Sequence, residues 1–267
     1  MRPPILVLHA TGTNRDREAA WACELAGGAP EIVHMNQLIA GERRLAEYRM
    51  LVLPGGFSYG DDLGAGKLWA VALRYRLGEE LQAFVAAGKP VLGICNGFQA
   101  LVKAALLPGP IMPHGDGQPA DAGQQLVTLA RNDSARFECR WVYLQPQPSS
   151  PCLFTRGLEE QIYCPVAHGE GKFVARDAAT LEAIEALGLA ALRYVRPDGG
   201  AASYPWNPNG SQGDIAGICN AQGNVLGLMP HPEDHVIAEQ HPRFHRGECG
   251  QLGLPLFRNG MVYASQL

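Results

Sequence analysis

The chain has 267 residues, 46% hydrophobic and 18% charged, so it can bury a core and is too apolar for a disordered segment. The formal net charge is -4, with no basic stripe, no Lys/Arg-rich amphipathic run and no apolar run long enough to span a bilayer, so neither nucleic acid nor a membrane is an expected partner. Seven cysteines, an odd number without a CxxC pair, follow an N-terminus whose apolar run is too short for a signal peptide; free thiols in a reducing cytoplasm are expected.

Residues 5–8 read as a first buried strand. Thr11-Gly12-Thr13-Asn14 is a capping turn before a helix over 15–25, which Gly27-Gly28 ends. Further strands are expected at 31–35 and 50–53, a helix at 77–87, and an apolar strand at 90–94. After Cys95 the period changes. Phe98, Leu101, Val102, Ala105 and Leu106 form one apolar helical face, stopped by Leu107-Pro108-Gly109. Residues 107–123 are rich in Pro and Gly and read as an irregular surface connection. Beyond it, strand character is expected at 125–130, 136–145, 163–167, 192–195, 215–219 and 224–229, with helices at 155–161 and 180–187. Strands alternating with helices predict βαβ units on a mainly parallel sheet. There is no internal repeat, and 1–267 is read as one domain, with 234–267 an extension of unassigned role.

Two stretches carry chemistry. Gly93-Ile94-Cys95-Asn96-Gly97 places a cysteine at a sharp strand-to-helix turn between two glycines, the geometry of a nucleophile elbow. The glycines leave room for a tight backbone, and the helix N-terminus favours the thiolate. A structural cysteine buried between strand and helix is the plain alternative on this spacing alone. The second stretch is Pro230-His231-Pro232-Glu233 after the last strand. The prolines stiffen it, and in an extended chain residues two apart face one side, so Glu233 is expected to orient the His231 ring. A third loop, Pro54-Gly55-Gly56-Phe57, follows the strand at 50–53 and can offer backbone N–H groups to an anion. It is no ATP-binding loop: Asp61 stands where GxxxxGK needs its first glycine, and Leu68 replaces the Ser/Thr that would bind magnesium. In an open parallel sheet, loops after strands converge, so this loop is expected near Cys95. His235, His241, His245 and Cys249 in the tail match no closed zinc pattern, and no metal site is expected.

Together these stretches resemble the class I, or triad-type, glutamine amidotransferases. Gly12-Thr13-Asn14, Gly55-Gly56-Phe57-Ser58-Tyr59-Gly60-Asp61, Gly93-Ile94-Cys95-Asn96-Gly97-Phe98-Gln99, Ala167-His168-Gly169-Glu170-Gly171, Asn207-Pro208-Asn209-Gly210-Ser211 and Gly227 to Glu233 narrow the likeness to the glutaminase-subunit branch of phosphoribosylformylglycinamidine synthases. The resemblance implies a flavodoxin-like, three-layer α/β/α fold and hydrolysis of L-glutamine through a thioester on Cys95, with His231 and Glu233 completing a triad. By the same likeness, the oxyanion is expected at the Asn96 N–H and the Gly55-Gly56 loop. Gln99, with His168 and Gly169, is expected at the amino-acid end of the substrate. The implied partner is a cytoplasmic synthetase subunit of purine biosynthesis that holds ATP and magnesium, with room for a small accessory subunit; no cofactor is implied in this chain. Three positions depart from the family's pattern: Arg15 where cysteine is frequent, Gly64 where arginine is expected, and Asp234 where arginine usually follows His-Pro-Glu. Two other readings fit the residues: a Cys-His-Glu peptidase or other hydrolase of the same fold, and a non-catalytic regulatory module. The intact set Cys95, His231 and Glu233 argues against the latter.

Overall fold

The computed structural model describes residues 2–111 and 124–267; the larger part of the connection expected over 107–123 lies outside them. The chain opens with β1 (Pro4–His9), α1 (Asp16–Leu25), β2 (Ala29–His34), α2 (Met35–Ile39) and β3 (Met50–Leu53). Next come α3 (Lys67–Arg76), α4 (Gly78–Ala86), β4 (Val91–Ile94) and α5 (Asn96–Lys103). The second half holds β5 (Val127–Arg131), β6 (Glu138–Pro146), β7 (Ile162–His168), β8 (Glu170–Ala175), α6 (Ala178–Ala186), β9 (Ala190–Val195), β10 (Ile215–Cys219), β11 (Val225–Leu228) and α7 (Leu254–Ala264).

One nine-stranded sheet runs in the order β2-β1-β3-β4-β11-β10-β9-β6-β7, and β5 and β8 pair separately. The pairs from β2 through β11 are parallel. Their central strands are continuous apolar runs: every residue of β3, β4 and β11 is buried, as expected where helices cover both faces. This is the expected α/β/α sheet. It carries an antiparallel extension, because β10, β9, β6 and β7 each run against their neighbours. The helix α5 packs on β3, β4 and β11 beside α3, while α1 and α7 pack together, with α7 also on β3.

Since β1, β3, β4 and β11 are adjacent and parallel, the loops that follow them gather at one end of the sheet. Those loops carry Thr11 to Arg15, Gly55-Gly56, Cys95 and His231. The far strand β7 also reaches this end: Pro165 of β7 accepts a hydrogen bond from His231 N at 2.8 Å.

Several elements differ from the expectation. The helix expected at 155–161 is a turn: Leu158 N donates to Thr155 O, Gly157 sits at φ 70°, and the Asn259 amide holds the carbonyls of Phe154 and Arg156. Helix propensity yields there to a side-chain clamp from α7. Four elements had no counterpart in the expected order: α2, α3, β8 and α7. The last seals the core with Leu256 and Phe257 at 0% exposure.

Candidate active site

Cys95 adopts φ 49° and ψ -103° between β4 and α5, a backbone position that side chains rarely occupy. What fixes it is the crowding around the two glycines. A Cβ on Gly97 would lie 2.0 Å from Leu53 O of β3; one on Gly93 would lie 2.5 Å from Leu101 Cδ1 and 3.0 Å from the Gly97 carbonyl. α5 therefore sits against the strands at a separation no other residue permits. The expected elbow is present, and the Cys95 thiol, 5% exposed, points toward Ala167 O at 3.8 Å. As the first residue of α5, Asn96 has an N–H with no acceptor inside its own helix.

The loop after β3 is tied down from two sides. Phe57 N donates to Gly12 O at 3.0 Å, and Thr13 bridges Gly56. From α5, the buried Asn96 side chain accepts from Ser58 N at 3.1 Å and donates to Asp61 Oδ1 at 3.1 Å and Gln99 Oε1 at 3.0 Å. This bracket was not foreseen from sequence, where Asn96 entered for its backbone alone. The two glycines have different places. Gly56, at φ 143°, borders the cavity beside Cys95. Gly55 lies against the imidazole, where an added Cβ would meet His231 Cε1 at 2.7 Å.

His231 Nδ1 and Glu233 Oε1 are 2.7 Å apart, with side chains 4% and 0% exposed. The pair meets as expected, but through a different backbone. Pro232–Asp234 is a 3-10 turn, closed by Asp234 N donating to His231 O at 3.2 Å, not an extended segment. Burial alone would lower the imidazole's pKa; the facing Glu233 carboxylate and Cys95 outweigh it and hold the pKa well above the ordinary histidine range. Among the described residues His231 Nε2 is buried without a hydrogen-bond partner, and the Cys95 thiol turns to Ala167 O. Arg15 and Asp234, two of the three departures noted in the sequence, meet here: Arg15 Nη1 lies 3.6 Å from Asp234 Oδ1.

The residues expected at the amino-acid end are brought to the cavity, yet their polar groups are engaged within the protein. Gln99 Nε2 donates to Glu170 O at 2.6 Å. The His168 ring is 3.1 Å from Asn132 Oδ1 and 3.5 Å from Asn209 Nδ2. Burial, and then the charge of His231, lower the His168 pKa to about 3, so the ring is neutral. Gly171 makes room for it; a Cβ there would stand 2.4 Å from the ring. Gly169 borders the cavity, and its carbonyl accepts from Asn132 N at 3.0 Å.

The cavity beside Cys95 measures about 190 Å³ and is bordered by Gly56, Asp61, Gln99, Ala167, Gly169 and Glu170 among others. Phe57 and Phe137, 46% and 53% exposed, face each other at its rim. Phe137 falls inside the strand expected at 136–145, just ahead of β6, but nothing in that pattern marked it as a cavity residue. A larger cavity of about 420 Å³ lies between residues 157–162 and 250–255, bordered by none of the chemical residues above. His231, Glu233 and Asp234 place one donor atom each within 4.8 Å, but His231 Nδ1 and Glu233 Oε1 are already bonded to each other. His235 and His241 pack with Trp141 and Tyr163 in an aromatic cluster, whereas His245 packs on Phe244.

A strained cysteine at a helix N-terminus and a glycine loop border one small cavity, and a buried His–Glu pair packs against that loop at Gly55, an arrangement suited to acyl transfer through a thioester. Residues 2–264 match the model of the CobB/CobQ-like glutamine amidotransferase domain. The chain is 48% identical to phosphoribosylformylglycinamidine synthase subunit PurQ of Treponema denticola, over 98% of this chain and 99% of that one. It is 46% identical to the protein of the same name from Dehalococcoides mccartyi, over 98% of each. Among solved structures, a chain in the structure of PurLQS from Thermotoga maritima matches with TM-score 0.71 and 32% identity, covering 98% of this chain and 99% of that chain. A family model that covers nearly every residue and near-full-length relatives at this identity lead to one conclusion: the chain belongs to the CobB/CobQ-like glutamine amidotransferase family.

Proposed function

We propose that this chain is the glutaminase subunit of a phosphoribosylformylglycinamidine synthase, releasing ammonia from L-glutamine for a synthetase subunit of purine biosynthesis. The observation that carries the reading is Cys95 at φ 49°, beside the His231–Glu233 pair and a cavity of about 190 Å³. In this reading the Cys95 thiolate attacks the side-chain amide carbon of glutamine. The C–N bond breaks as His231 delivers a proton to the leaving ammonia, and a thioester remains. Water, giving its proton to His231, then releases glutamate and regenerates the thiol. Glu233 holds the imidazole's tautomer and orientation. The Asn96 and Gly56 N–H groups are the oxyanion donors; Gly55 serves as the surface on which the imidazole rests.

Gln99 acts in this reading by holding the Glu170 carbonyl at the substrate's amino-acid end, and His168 by fixing Asn132, whose amide donates to the His168 carbonyl, rather than by offering their own polar ends. The synthetase partner and its small accessory subunit are inferred from likeness to the PurLQS chain, and ATP and magnesium on that partner from the family resemblance alone. Residues 234–267 are read as part of one domain, since α7 contributes Leu256 and Phe257 to the core. Among the described residues no helix is long and apolar enough to cross a membrane, in keeping with a cytoplasmic place.

The test is Cys95→Ala in the reconstituted complex. Glutamine-dependent synthesis is abolished, while synthesis from added ammonia stays near the parent rate. Loss of both in a folded, assembled variant refutes the assignment.

A further inference from the structure

The segment Thr11 to Arg15 touches both halves of the site. On one side its backbone pairs with the glycine loop: Phe57 N donates to Gly12 O, Tyr59 N to Thr11 O at 2.6 Å, and Thr13 bridges Gly56. The stem of Arg15 lies over Gly55, its Cγ 3.5 Å from where a Cβ would stand. On the other side the Arg15 guanidinium reaches Asp234 at 3.6 Å, and Glu18 at 3.3 Å. Asp234 is no ordinary surface carboxylate. It closes the Pro232–Asp234 turn and places an oxygen within 4.8 Å of both His231 and Glu233 donor atoms. Two carboxylates thus flank one imidazole, and one of them has a cationic partner from the residue just before α1.

We propose that Arg15 and Asp234 are positioning residues of the glutaminase site: their ion pair latches the His231–Glu233 turn to the Gly55-Gly56 loop and balances the charge of a second carboxylate beside the base. The inference rests on the glutaminase reading. The charges that face this cluster come from five elements. Glu233 and His231 are on the turn and at its start, Arg15 on the loop after β1, Glu18 on α1, Cys95 at the elbow and His168 at the end of β7. The thiols of Cys23 on α1 and Cys164 on β7 stay protonated, because burial pushes both upward. Burial and the Glu233 charge also raise Asp234, to about 6, so above that pH it is an anion and the ion pair forms.

The latch has a consequence for the pH profile. Once the thioester forms, the thiolate charge is gone, and His231 must be neutral to accept a proton from water. Its pKa in that state sets the acid limb of kcat. With Arg15 removed, Asp234 is an uncompensated anion that favours the imidazolium. With Asp234 neutralised, Arg15 is an uncompensated cation that disfavours it.

The experiment measures glutamate release against pH by the full chain assembled with its synthetase partner. Arg15→Met keeps the stem over Gly55 and moves the acid limb up by about half a pH unit; Asp234→Asn moves it down by about as much. The double variant returns to within about 0.2 unit of the parent, which a purely structural role does not produce. Shifts in the same direction, no shift, or a double variant that adds the two losses overturns the latch. An NMR titration of the His231 ring in the same four proteins reads the same displacements without turnover. If Cys95→Ala still releases glutamate, the glutaminase reading fails, and the titration still decides whether the ion pair acts on His231.

Discussion

Replacing Cys95 by glycine removes the nucleophile and should also stabilise the chain relative to alanine at the same position. A non-glycine residue in a sparsely populated φ/ψ region costs about 1–3 kcal/mol. At φ 49° and ψ -103°, Cys95 lies outside even the small left-handed well, so the upper end applies. Alanine keeps that strain; glycine releases it. Against the release stand about 0.5–1 kcal/mol of extra chain entropy in the unfolded state and about 0.8 kcal/mol for one buried carbon. The balance leaves the glycine variant about 1–2 kcal/mol more stable than the alanine variant, or about 2–6 °C in Tm for a chain of this size. Both variants lack glutaminase activity, so the comparison isolates the backbone. Paired thermal scans of the two purified variants, with chemical unfolding as a second measure, give the difference. An alanine variant as stable as the glycine one, or more stable, would show that the elbow stores no strain.

His231→Ala should lower glutamine-dependent turnover by at least about 10³-fold, and Glu233→Gln by less, since an orienting partner contributes less than the base; equal losses on steady-state assay would contradict the assigned roles. Asn96→Ala leaves Ser58 N, Asp61 and Gln99 without their shared partner, so it should cost about 1–3 kcal/mol in chemical denaturation and depress glutaminase activity with the backbone N–H intact. His168 gives a pH signature. Its folded pKa of about 3 lies below the ordinary 6.5, so the group costs nothing above 6.5, and as pH falls from there the unfolded chain alone takes up the proton. Stability should fall by about 1.4 kcal/mol per pH unit from this group across that window. His168→Gln, whose amide can still meet Asn132 and Asn209, should flatten the acid side of the stability curve; an unchanged curve would mean that the ring is not held neutral.

The parts of the site legible in the sequence were those where a residue type has a steric meaning of its own. Gly93 and Gly97 could be read as an elbow because nothing larger fits, and the atoms that forbid a Cβ are the Leu53 carbonyl and the Gly97 backbone itself. His231 and Glu233 could be paired from spacing, although Pro232–Asp234 is a 3-10 turn rather than extended; His231 itself stands before the turn at φ -108° and ψ 81°, and its ring still meets Glu233. What was not legible depends on partners far apart in the chain. Gln99 read as a substrate contact; its amide is spent on the Glu170 carbonyl, 71 residues away. His168 read the same way, and its ring is closed off by Asn132 and Asn209, 36 and 41 residues away. α7 has a helical period in Phe257, Gly260, Met261 and Ala264, but what it packs against, α1 and β3, lies more than 200 residues away in the chain. Arg15 and Asp234 show the same limit most sharply. Each looked like an isolated departure, 219 positions apart, and only the convergence of loops at the ends of β1 and β11 makes them one pair of opposite charges beside the base. Departures at two positions of a site can therefore leave its electrostatics balanced, provided the two positions face each other across the sheet's carboxyl end.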